Sequence, residues 1–77
     1  MKVRVSALGA LKKYLPHEKD FEIRENDVNL KKLVINYIGI PSTESRISYI
    51  VNGRIQKDSY QPGSDDKIVV LKMGGAG

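Results

Sequence analysis

Seventy-seven residues without a cysteine predict a single small domain whose thin core no disulfide or cysteine-bound metal reinforces. The missing thiol also excludes a cysteine nucleophile, and the one histidine, His17, sits in the polar stretch PHEKD as a solvated loop side chain. Thirteen Lys and Arg against nine Asp and Glu give a net charge of +4, but the cations are scattered apart from Lys12-Lys13 and Lys31-Lys32. That pattern reads as a mixed soluble surface rather than a nucleic-acid footprint.

The N-terminal stretch MKVRVSAL alternates too regularly for the apolar segment of a secretory leader. No run approaches the roughly 20 apolar residues of a membrane helix. The expectation is a soluble, cytoplasmic protein, monomeric when free, with no membrane partner.

Val3, Val5 and Ala7 alternate with Lys2, Arg4 and Ser6, the period-2 pattern of a half-buried strand. Gly9 breaks it, and ALKKYL suits a short helical turn before Pro16. FEIRE alternates again, with Phe21, Ile23 and Glu25 on one side, and predicts a second strand paired with the first. Leu30, Leu33, Val34, Tyr37 and Ile38 then fall at i, i+3, i+4, i+7 and i+8, the apolar stripe of a helix. Asn29 supplies its N-cap, with Val28 placed to staple onto Leu33. Gly39 suits the left-handed position after the last turn, Ile40 its apolar partner, and Pro41 forbids continuation.

ISYIV predicts a third strand running into Asn52-Gly53, the strongest two-residue hairpin signal because both positions take positive φ. Arg54-Ile55-Gln56 returns as a short fourth strand. Pro62-Gly63 marks another turn, and Lys67 to Lys72 is a fifth strand, apolar on both faces as a central strand is. If Ile68 and Val70 face the helix, then Ile47, Tyr49 and Val51 face inward too. Ile50, Val69 and Leu71 then form an outward apolar patch of the kind that binds a partner. A one-residue slip of register would instead bury all three. Strand, strand, helix and three strands predict an α+β roll, a mixed five-stranded β-grasp sheet packed on one main helix. The domain spans residues 1–72, followed by a flexible tail over 73–77.

The hairpin VNGRI, the Gly- and Asp-containing turn before the last strand, and the ending GGAG carry a resemblance that covers the whole chain. In these features the sequence resembles the ubiquitin-like sulfur carriers, the small subunit of molybdopterin synthase and the thiamine-biosynthesis carrier. The resemblance implies a protein that is not itself an enzyme and binds no cofactor. An adenylating partner uses ATP to activate its C-terminal glycine, and the thiocarboxylate that follows donates sulfur to a synthase subunit or in tRNA thiolation. It also implies that the outward sheet face is where partners dock.

The family ends on Gly-Gly, whereas here Gly74-Gly75 is followed by Ala76-Gly77. The stretch from Asp66, the turn acid before the last strand, to Gly77 is similar to the distance the family places between its turn aspartate and its terminal glycine, and that resemblance implies a working carboxylate on Gly77, with Ala76 in the penultimate position. The other register makes Gly75 the working end after a peptidase removes Ala76-Gly77, and a relative that carries nothing remains open. A C-terminal carboxylate, with a pKa near 3.5, is ionised at neutral pH and a poor electrophile. It must therefore reach ATP in another protein's closed site. Five extended residues from Met73 reach about 17 Å, and glycine lets that backbone pass a narrow channel.

Three other function classes compete. Conjugation to lysines of other proteins shares the same activation step, and no residue separates it from sulfur transfer. A basic β-grasp RNA-binding module would need clustered aromatics, yet Tyr14, Tyr37, Tyr49 and Tyr60 do not gather on one strand pair. An autonomous enzyme would need paired carboxylates, metal-spaced histidines or a phosphate-cradling loop, and none is present in the sequence.

Overall fold

The computed structural model describes residues 1–73. The expected tail residues Gly74, Gly75, Ala76 and Gly77 lie outside the described residues, and with them most of the tail segment expected over 73–77.

Alternation at the N-terminus becomes strand β1, Lys2–Ala7, whose Val3, Val5 and Ala7 are buried while Lys2 and Arg4 face water. A 3₁₀ turn over Gly9–Lys13 follows, pinning Leu11 into the core. Strand β2 is Lys19–Glu22 and pairs antiparallel with β1, Val3 opposite Phe21 and Arg4 opposite Asp20. It begins two residues before the expected FEIRE segment and ends before Ile23. Lys19 and Asp20, assigned to a loop by composition, enter the ladder opposite Val5 and Arg4, and the Arg4 guanidinium donates to Asp20 at 2.9 Å. Glu25 is not on the strand; it accepts the Tyr37 hydroxyl at 2.8 Å instead.

The helix occupies 30–38 as expected, but only its first turn, Leu30–Lys32, is α-helical (α1). Asn29 caps it by accepting the Lys32 N–H at 2.8 Å. Leu33–Ile38 continue in the wider π winding, and Gly39 (φ 89°) closes it by donating to the Val34 carbonyl five residues back at 3.0 Å. Leu30, Leu33 and Val34 are buried, whereas Tyr37 and Ile38 are half-buried. The wider turn rotates the later residues off the stripe that a 3.6-residue period assigns to them. Ile40 folds back into the core, as its place after Gly39 requires.

Strands β3 (Ile47–Val51), β4 (Arg54–Gln56) and β5 (Lys67–Lys72) have the bounds the pattern set. The sheet order is β2-β1-β5-β3-β4, with β1 and β5 parallel and the other pairs antiparallel. The most apolar strand, β5, is therefore central. Val3, Val5, Ile68 and Val70 share one core with Leu30, Leu33 and Val34.

Candidate functional site

The site grows from the register of the central strands. Ile50 on β3 stands opposite Val69 on β5 and opposite Ile55 on β4. Leu71 stands opposite Ser48, and Val69 beside Ser6 of β1. Directly paired residues share a face, and their neighbours Tyr49, Val51, Ile68 and Val70 are buried on the helix side. Ile50, Val69 and Leu71 therefore lie together on the outer face, half-buried.

Two residues join this face that the sequence reading left out. Ile55 is 77% exposed and Leu8 50%. Both were legible: a two-residue turn at Asn52-Gly53 forces Ile55 opposite Ile50, and the parity of Lys2, Arg4 and Ser6 carries on to Leu8. Leu8 is held beside β5 by its N–H to the Val70 carbonyl at 2.9 Å.

Strand β5 delivers the chain to the rim of this patch. Met73, the last described residue, donates its N–H to the Arg46 carbonyl at 2.8 Å. Beside it, Glu44 accepts from the Tyr14 hydroxyl at 2.6 Å and from the Lys72 ammonium at 2.9 Å, with the Lys13 ammonium 4.0 Å away. The Tyr14 hydroxyl first, and Lys72 next, hold the Glu44 carboxyl below its ordinary range. The same bond raises the Tyr14 phenol. These contacts tie the 3₁₀ turn, the loop before β3 and the end of β5 into one base from which the tail leaves. No sequence period marks Glu44, because it lies in the irregular segment PSTES.

At the opposite end of β5, Asp66 organises the turns. It is 9% exposed and accepts from Asn52 (2.8 Å), the Tyr60 hydroxyl (2.9 Å) and the Gly63 N–H (2.8 Å). Burial alone pushes this carboxyl up; the Gly63 N–H, Asn52 and Tyr60 outweigh it and hold the group below its ordinary range. Asp66 thus fixes where β5 starts, and with it the register of the outer patch.

Among the described residues no group of three or more His, Cys, Asp or Glu side chains is placed to hold a metal. No described helix is long and apolar enough to cross a membrane. His17 is exposed.

No protein-family model and no curated protein sequence matches the chain. Among solved structures, the chain is similar to SAMP1 from Haloferax volcanii, with a TM-score of 0.69 over 100% of both chains and 10% sequence identity. At that identity the likeness speaks for the fold: a five-stranded mixed sheet on one short helix, the ubiquitin-like β-grasp.

Proposed function

We propose that this chain is a ubiquitin-like sulfur carrier, activated at the carboxylate of Gly77 by an adenylating partner that docks on Ile50, Ile55, Val69 and Leu71. One observation carries the reading: the central strand β5 runs from the outer apolar patch directly into the Gly-rich tail, so one partner engages the patch and receives the tail together. The end-to-end likeness to SAMP1, a ubiquitin-like small archaeal modifier, supports it.

The chemistry is that of an acyl adenylate. The terminal carboxylate attacks the α-phosphorus of ATP and pyrophosphate leaves. A persulfide supplied by the sulfur-donating system then attacks the carbonyl and AMP departs. Reductive cleavage of the sulfur–sulfur bond by a thiol leaves the thiocarboxylate. The chain contributes the carboxylate, a narrow backbone and a docking face; ATP and the sulfur belong to its partners.

Mass spectrometry of the protein purified from its native cells tests the reading. A terminal oxygen replaced by sulfur on Gly77 is expected. An unmodified terminus under sulfur-replete conditions, with isopeptide-linked conjugates present, would replace sulfur donation by protein modification. Thiocarboxylate on Gly75 would move the working end to that residue.

A further inference from the structure

The hairpin turn carries a reactive dipeptide. Asn52-Gly53 is the one place in the sequence where an asparagine precedes a glycine; Asn26, Asn29 and Asn36 are followed by Asp27, Leu30 and Tyr37. An asparagine side-chain amide is open to attack by the backbone nitrogen of the next residue, and a Cβ on that residue hinders the approach. Gly53 has no Cβ. Both turn residues are exposed, a Cβ built on Gly53 meets nothing within 4 Å, and among the described residues its N–H donates to no backbone carbonyl. The nucleophile is unshielded.

The carbon it would attack is restrained. The Asn52 amide nitrogen donates to Asp66 Oδ1 at 2.8 Å, and the amide oxygen accepts the Lys67 N–H at 3.0 Å. Both bonds turn the side chain toward the start of β5. Ring closure onto the Gly53 nitrogen requires the amide to swing back over its own turn, so both bonds must break first. The positive φ of Asn52 (51°) and Gly53 (84°) holds the turn in the shape that lets both bonds form.

From this we infer that Asn52 is a site of spontaneous deamidation, restrained by the clasp that Asp66 and Lys67 place on its side chain. The Gly53 nitrogen bonds to the Asn52 side-chain carbonyl carbon as its proton passes to solvent base. The carbon–nitrogen bond of the amide then breaks, and ammonia leaves with a proton taken from water. Water opens the resulting five-membered succinimide at either carbonyl, giving aspartate or the side-chain-linked isoaspartate. The net change is one water taken up and one ammonia lost. Aspartate sets a second carboxylate against Asp66 where a donor stood, and like charges oppose each other there. Isoaspartate adds a backbone carbon to a two-residue turn. Either product loosens the hold on Asp66 and Lys67, and with it the start of β5 and the register of the outer patch.

The test incubates the full chain and a synthetic peptide of residues 49–56 side by side in mildly alkaline buffer. Peptide mapping by mass spectrometry and labelling by isoaspartyl methyltransferase follow the reaction. Modification at Asn52 ahead of every other asparagine is expected. Its rate should lie at least about tenfold below the peptide's, since two hydrogen bonds must open first. Urea added below the unfolding transition should leave that rate nearly flat, because opening the clasp exposes little surface. Asn52→Asp, which installs one product directly, should lower the urea midpoint of the chain. A rate equal to the peptide's, or one that climbs steeply with low urea, would overturn the clasp. Modification first at another asparagine, or none at Asn52 after prolonged incubation, would overturn the site, and an unchanged midpoint for Asn52→Asp would overturn its consequence.

Discussion

Asn52 donates its side-chain amide to Asp66 at 2.8 Å, while its own side-chain carbonyl accepts the N–H of Lys67 at 3.0 Å. One residue of the hairpin turn thus fastens both the buried acid and the first residue of the central strand. Its backbone N–H also donates to the Lys67 carbonyl at 2.9 Å. The left-handed backbone of Asn52 (φ 51°) and Gly53 (φ 84°) makes that triple attachment possible.

Asp66→Asn should destabilise the domain by roughly 1–3 kcal/mol, because all three groups that meet the carboxylate are donors and an amide nitrogen in their midst leaves one unsatisfied. The folded-state pKa of Asp66 is depressed. Its stabilisation is therefore complete above the unfolded value, near pH 4, and is lost as pH falls through the folded value. Urea midpoints measured from pH 6 down to pH 2 should show a steeper acid loss for the wild type than for the variant. Equal slopes would remove Asp66 from this role.

Leu33→Ala should cost roughly 2–5 kcal/mol, the range for a buried leucine; Leu33 has no exposed surface. In a domain this small the loss is a large share of total stability. Chemical denaturation checks it, and a variant as stable as the wild type would contradict the observed helix face.

Gly53→Ala should destabilise by about 1–2 kcal/mol with no new clash. An added Cβ meets nothing within 4 Å, so the cost arises from the positive φ alone. Thermal unfolding of the variant measures it; an unchanged midpoint would mean the turn relaxes to another type.

Ile55→Asp should leave the thermal midpoint nearly unchanged, since Ile55 is 77% exposed, and weaken binding to the cognate activating enzyme at least about tenfold, as loss of a central contact does. Calorimetric titration of the two proteins checks it. Undiminished affinity would place the docking surface elsewhere.

Strong local signals made most of this fold legible. Asn29, Gly39 and Pro41 bound the helix through cap chemistry that acts within a few residues, and Asn52-Gly53 set the hairpin the same way. β5 announced its central place by being apolar on both faces. The start of β2 was hidden because Lys19 and Asp20 pair with Val5 and Arg4 of β1, contacts no local pattern reports. The π winding over Leu33–Ile38 was hidden for a related reason: periodicity assumes the α turn, so Tyr37 and Ile38 were assigned to a stripe they partly leave. Of the outer patch, parity gave Ile50, Val69 and Leu71, while the cross-strand register added Ile55. Glu44 and Arg46 became visible only in three dimensions, because their partners Tyr14, Lys72 and Met73 lie far away in sequence.

The central claim is that the C-terminal carboxylate is the group activated. Full-length protein, a form ending at Ala76 and a form ending at Gly75 should be offered to the cognate activating enzyme while ATP–pyrophosphate exchange is followed. The account predicts exchange with the full-length protein alone, at equal thermal stability of all three. Exchange only with the form ending at Gly75 would contradict the assignment to Gly77, and no exchange with any form would contradict activation altogether.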